Sequence, residues 1–293
     1  MKYLISVDFS DITNLVVRSA KLMAMKLNAQ LELLHVIAPF TYLPYPEGLS
    51  IDMVDMDIIQ KAEENAKNLA LEKLSALAEY LEPVKTTYKV LIDTPFSEVI
   101  SKEAEDNHMD GIFLGGHSKN LIEKIFVGST TEDVVKNAKV STIVIKAKEI
   151  EKLEHILIAY DFTSICDKMI DFVFDAFKSL KPKITLIHID KGINIELTKD
   201  VSQTLEQSVT NAKLQKLNAI KDRFSSIYDF SYHILDEKDV ASAIEAFAVK
   251  TEPDIVFIAS KRPKLLERVF GSIDTVKILK TTQYPLYVFK VEV

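Results

Sequence analysis

The sequence predicts an α/β protein of two tandem doubly wound domains, each a five-stranded parallel sheet flanked by helices. Three observations carry this. The 293 residues exceed what one core of ordinary size needs. The chain repeats itself, and within each repeat short apolar strands alternate with amphipathic helices. Leu4-Ile5-Ser6-Val7-Asp8-Phe9-Ser10 returns as Leu157-Ile158-Ala159-Tyr160-Asp161-Phe162-Thr163, an offset of 153, and Leu33-Leu34-His35-Val36 returns at the same offset as Leu186-Ile187-His188-Ile189. Farther along, Asp110-Gly111-Ile112-Phe113-Leu114 pairs with Asp254-Ile255-Val256-Phe257-Ile258 at 144, and Gly128-Ser129 with Gly271-Ser272 at 143. The second copy is therefore shorter. Most of the loss falls after its second strand, where the first copy carries Pro39, Pro44, Pro46 and Gly48. The seam lies at residues 148–152, giving domains over 1–148 and 153–293.

Taken in order, the strands of the first copy are expected near 2–7, 30–36, 84–91, 110–115 and 141–146. Those of the second fall near 155–160, 183–189, 227–235, 254–259 and 284–290. Continuous apolar runs such as Ile143-Val144-Ile145 suit strands buried on both faces. Leu15, Val16, Ser19, Ala20, Met23 and Leu27 recur at helical spacing, as do Cys166, Met169, Ile170, Val173, Phe174 and Phe177. These are the sheet-facing stripes of each copy's first helix, with Asp11 and Thr163 at the N-cap positions. The same stripes give Cys166, Met23 and Met169 a packing role.

Composition narrows the function. The net charge of −7 divides into −5 over residues 1–148 and −2 over the rest, so neither half has the basic excess of a nucleic-acid binder. Cys166 is the single cysteine, which excludes an internal disulfide and a multi-cysteine metal site and suits a reducing compartment. No uncharged run approaches membrane-spanning length, and the chain opens directly on a strand pattern, so no membrane association and a cytoplasmic location are expected. His35 and His188 read as packed strand residues. No Ser-His-Asp spacing, His-x-x-x-His pair or facing carboxylate pair emerges, so no catalytic residue and no metal ligand is assigned.

Gly115-Gly116-His117-Ser118, then nine residues, then Gly128-Ser129 resembles the nucleotide-binding signature of the universal stress protein family: Gly, two residues, Gly, nine residues, Gly, Ser or Thr. The first strand ending in Asp8-Phe9-Ser10, the Leu34-His35-Val36 second strand and the final strand after Asn137-Ala138-Lys139-Val140 are similar to that family too. The resemblance implies an adenine-nucleotide alpha-hydrolase-like fold and, in members that bind ATP, an Asp ending the first strand and a residue after the second-strand His on the nucleoside. The glycine loop then holds ribose and phosphates. Residue by residue this assigns Asp8, Val36, Gly115, Gly128 and Ser129, with His117, Ser118 and Thr130 alongside, to ATP or a related adenine nucleotide. It also implies pairing of the closing strands, 141–146 against 284–290, in an internal pseudo-dimer.

Departures from the signature matter. Ser118 replaces its second glycine, and Glu132 and Asp133 add negative charge early in the helix that would face the phosphates. In the second copy Ala259-Ser260-Lys261-Arg262-Pro263 lacks both early glycines, so only Gly271-Ser272 remains and that site reads as degenerate. Three functions stay open: a nucleotide-responsive stress protein acting on an unknown protein partner, a scaffold that kept the fold and lost the ligand, and a weak ATP hydrolase. The reading favours a ligand-responsive protein over an enzyme.

Overall fold

The computed structural model describes residues 1–42, 55–116, 127–190, 199–260 and 275–291. The first copy contains strands β1 (Lys2–Ser6), β2 (Gln30–Ile37), β3 (Thr86–Ile92), β4 (Gly111–Gly115) and β5 (Ser141–Ile145), with helices α1 (Thr13–Leu27), α2 (Met56–Leu81), α3 (Phe96–Asp106) and α4 (Ser129–Asn137) between them. The second repeats the order: β6 (His155–Ala159), α5 (Ser164–Ala176), β7 (Lys183–Asp190), α6 (Lys199–Ser225), β8 (Phe230–Asp236), α7 (Val240–Thr251), β9 (Ile255–Ala259), α8 (Thr275–Thr281) and β10 (Leu286–Phe289). All ten expected strands form, each within three residues of its expected limits.

The two five-stranded parallel halves join into one ten-stranded sheet of order β3-β2-β1-β4-β5-β10-β9-β6-β7-β8. The join is antiparallel. Thr142 stands opposite Val288, Ile143 opposite Tyr287 and Val144 opposite Leu286, which is the contact between closing strands that the family resemblance implies. One face of the sheet carries α1, α2, α5 and α6, whose Val16, Met23, Leu74, Cys166, Val173, Leu217 and Phe224 form a single apolar cluster across both copies. The opposite face carries α3, α4, α7 and α8 through Ile100, Val134, Val135, Ile244, Ile278 and Leu279. Covered on both sides, β5 is buried along its whole length, as its apolar run requires.

One expected cap is absent. Asp11 does not cap α1, whose N-cap is Ile12 with no side-chain bond. Instead the Asp8 carboxylate reaches forward and accepts from the Thr13 hydroxyl at 3.1 Å, tying the helix start to the strand end. In the second copy Thr163 does cap, its Oγ1 accepting from the Cys166 N–H at 3.5 Å.

Two buried lysines lock the seam. Lys146, just past β5, is 1% exposed and its Nζ donates to the carbonyls of Leu279, at 2.8 Å, and Thr282 at the end of α8. Lys290, just past β10, is 5% exposed and donates to the carbonyls of Val135, at 2.5 Å, and Ala138, at 2.8 Å, at the end of α4. Donors and acceptors are related by the same 144-residue offset, so the lock is reciprocal. The last carbonyls of a helix lack intrahelical partners and carry its negative dipole end, so an amine is the group that satisfies them. The connecting segment is tied down as well: Ile150 N–H donates to Ser19 Oγ at 2.9 Å, and Arg18 pairs with Glu149 at 2.5 Å.

Burial pulls the Lys146 ammonium down to about 7, opposed by the charge of Glu245. Its folded value lies below the unfolded one, so between pH 7 and pH 10 the unfolded chain holds the extra proton and stability rises with pH. Lys146→Met leaves two buried carbonyls without their donor and is expected to cost about 1–3 kcal/mol in urea denaturation. The cost should be greater at pH 9.5 than at pH 7.5, growing by about 1 kcal/mol per pH unit. An equal cost at both values would show that the amine does not change protonation on folding.

Candidate functional site

In a doubly wound sheet the ligand crevice opens beyond the carboxyl ends of the strands, where the strand order reverses. In the first copy that point lies between β1 and β4. A cavity of about 480 Å³ opens there, lined by the strand ends Ser6, Val7, Asp8, His35, Val36, Leu114 and Gly115, by Phe96 and Ile100 of α3, and by Gly128 through Thr131 at the start of α4. The topology thus brings together Asp8, Val36, Gly115, Gly128, Ser129 and Thr130, all assigned from the sequence. His117 and Ser118 lie outside the described residues.

Asp8 serves as the hub of the turn leaving β1. Its Oδ1 accepts from the Ser10 N–H at 3.0 Å, the Ser10 hydroxyl at 2.6 Å and the Thr13 hydroxyl at 3.1 Å, which fixes the carboxylate at the cavity wall. Phe9 adopts a left-handed φ of 56°, a conformation that costs a residue with a Cβ about 1–2 kcal/mol. The geometry lays the Phe9 ring against His35, with centroids 4.5 Å apart. His35 Nδ1 lies 2.7 Å from the Val7 carbonyl, an acceptor, so this nitrogen carries the proton. His35 is therefore an extension of the β1–β2 ladder, and it also lines the cavity.

The second copy builds the same corner. Phe162 has a φ of 64°, its ring sits 4.6 Å from that of His188, and His188 Nδ1 donates to the Tyr160 carbonyl at 2.9 Å. Asp161 accepts from the N–H and hydroxyl of Thr163 at 3.0 and 2.5 Å. Burial holds the His188 imidazole below its ordinary range, with the Tyr160 carbonyl opposing.

At the other end of the cavity α4 begins at Gly128, which has a φ of −62° and no capping side chain. The first N–H groups of a helix have no intrahelical partners and sit at its positive dipole end, an arrangement that holds an anion. Thr131 Oγ1 donates to the Gly115 carbonyl at 2.7 Å and pins this helix start to the end of β4. The glycines before the loop are required by space and not by backbone conformation. A Cβ on Gly115 would come within 2.7 Å of Ile12 Cγ2, and one on Gly116 within 2.5 Å of Lys146 Cγ, with neither residue at positive φ. The carboxyl of Glu132 is held below its usual range by hydrogen bonds from Lys136 and then Lys280, so its charge does not stand alone in the first turn of α4.

Several lining residues were not legible in advance. Phe96, Ile100 and Thr131 reach the cavity only because α3 and α4 pack on the same face of the sheet, a placement no local pattern encodes. Cys166 is buried and its thiol is pushed up to about 12 by burial, far from thiolate chemistry at neutral pH. Among the described residues no group of three or more His, Cys, Asp or Glu side chains gathers as if around a metal ion, and no helix is long and apolar enough to cross a membrane.

Comparison with known proteins agrees with this architecture. A universal stress protein of Methanocaldococcus jannaschii is 30% identical over 159 residues, half of this chain and 95% of that one. A second from the same organism is 30% identical over 147 residues, again half of this chain and 81% of its own length. A solved universal stress protein from Archaeoglobus fulgidus superposes with a TM-score of 0.68 at 18% identity, covering 99% of this chain and 98% of that one, a likeness of fold. The family model described as the universal stress protein family matches twice, over residues 1–146 and 152–290. With both halves matched by one model and relatives aligned to half the chain, the protein belongs to the universal stress protein family in its tandem two-domain form.

Proposed function

We propose that the first copy binds ATP or a related adenine nucleotide in the crevice between β1 and β4, and that the second copy is its structural partner. Ligand state then alters docking with another protein. The observation that carries this reading is the cavity itself, whose two ends differ in chemistry. One side is apolar, with Val36, Phe96, Ile100 and Leu114, and has the oriented carboxylate of Asp8 beside it. The other is the uncapped start of α4, where Gly128, Ser129 and Thr130 offer backbone N–H groups and two hydroxyls to an anion. A cavity of this volume suits a small organic ligand held by a few convergent polar groups. The family resemblance assigns His117 and Ser118 to the phosphates as well.

Calorimetric titration of the intact chain with ATP is expected to give one site. Gly128→Asp should abolish it by setting a carboxylate where phosphate lies, whereas Gly271→Asp in the second copy should leave it nearly unchanged. Equal losses from both substitutions would place a ligand in the second copy as well. An intact chain that takes up no adenine nucleotide at physiological levels would favour the scaffold reading.

Ser118 breaks an otherwise correctly spaced signature; where the bound loop needs the positive φ that the signature's glycine permits, a non-glycine residue costs on the order of 1–2 kcal/mol. Ser118→Gly is accordingly expected to tighten ATP binding by roughly tenfold with thermal stability unchanged. Weaker binding in the variant would instead identify the Ser118 hydroxyl as a phosphate donor.

A further inference from the structure

The start of α4 carries a carboxylate at an awkward place. Glu132 lies in the first turn, and because Cα–Cβ bonds tilt toward a helix's N-terminus, its charge hangs toward the N–H groups that would hold an anion. Alone it would satisfy the positive dipole end and repel a polyphosphate. Two ammonium groups meet it: Lys136 on the next turn of the same helix, at 2.6 Å, and Lys280 from α8 of the second copy, at 2.7 Å. Lys136 and Lys280 are equivalent in the register that the lysine lock sets, where Val135 matches Leu279 and Ala138 matches Thr282, and in that register the position of Glu132 is held by Val276. Both lysines of a symmetric pair therefore converge on one carboxylate at the first copy's crevice. Glu132 and Lys136 cancel, and the ammonium from α8 is the charge that makes the three groups together net positive.

The second copy reaches this helix on a rigid support. The end of α8 is fastened to the first copy by Lys146, whose buried stem passes directly beneath Gly116, and α4 and α8 lie side by side across the seam. Lys280 is half-exposed and its pairing with Glu132 is the contact it makes across that seam, so its effect on stability should be small. Its electrostatic reach covers the whole first turn of α4, which lies within a Debye length.

We propose that Lys280, supplied by the second copy, sets the anion affinity of the first copy's crevice by adding a second ammonium to the Glu132–Lys136 pair at the start of α4. The inference rests on the nucleotide reading above and extends it. The second copy is then a working part of the site, and Lys280 is a positioning residue that acts through Glu132 without touching the ligand.

The test is calorimetric titration of the full chain with ATP, ADP and adenosine, in the parent, Lys280→Met and Lys280→Met/Glu132→Gln, at low and high salt. Lys280→Met is expected to weaken ATP binding by roughly three- to tenfold at low salt, to weaken ADP less and to leave adenosine unchanged. The loss should shrink at high salt, and adding Glu132→Gln should restore ATP affinity, because the carboxylate that needed a counter-charge is gone. ATP binding indifferent to Lys280→Met, or an equal loss for adenosine, would overturn the inference while leaving the nucleotide reading intact. A parent that binds none of the three ligands would overturn both.

Discussion

The antiparallel pairing of β5 with β10 is the constraint on which the rest of the molecule depends. Each copy ends on an apolar strand buried along its length, and such a strand left at the edge of a sheet would present unpaired N–H and C=O groups to water and to other chains. Joining the two closing strands removes both edges at once. It also forces α4 and α8 side by side, since each helix precedes the strand that pairs. From that follow the reciprocal lysine lock, the space requirement at Gly116 above the Lys146 stem and the meeting of Lys280 with Glu132. Burying two amines is costly unless each finds acceptors, and the helix ends supply them.

The fold was legible because its signals are local and repeated. Short apolar runs, a helical stripe such as Val16, Ala20 and Met23, and register kept between copies together identify parallel strands and crossover helices. Asp8, Val36 and Gly128 were singled out through the family resemblance, and they line one cavity because they sit at strand ends or a helix start that the topology brings together. What stayed hidden depends on contacts between distant segments. Nothing in the sequence around Lys146 or Lys290 separates them from solvated lysines, because the carbonyls they meet belong to the other copy. Asp11 looked like a cap, yet Asp8 organises the start of α1 through Thr13. Gly116 looked like part of a phosphate loop, and its immediate physical reason is the lysine stem beneath it.

The two copies share a scaffold and differ in what they build on it. Both place an Asp, a left-handed Phe and a His in one corner, with the His donating back to the first strand. At the position of Gly116 the second copy has Ser260, whose hydroxyl meets Thr275 at 3.2 Å, and at the position of Glu132 it has Val276. The corner is thus a device for shaping the strand end, common to both halves, whereas the convergence of Lys136 and Lys280 on Glu132 stands at the first copy's helix. The proposal that one half holds the ligand and the other supports it rests on that difference.

Hydrogen exchange along the intact chain, with and without saturating ATP, tests this division most directly. Ligand held in the first crevice should slow exchange of amides at the ends of β1 and β2 and at the start of α4, while the corresponding amides after β6 and β7 and the start of α8 stay unchanged or gain only slight protection through the seam. Protection centred on Asp161, His188 and the start of α8, or the same exchange everywhere with and without ATP, would contradict it.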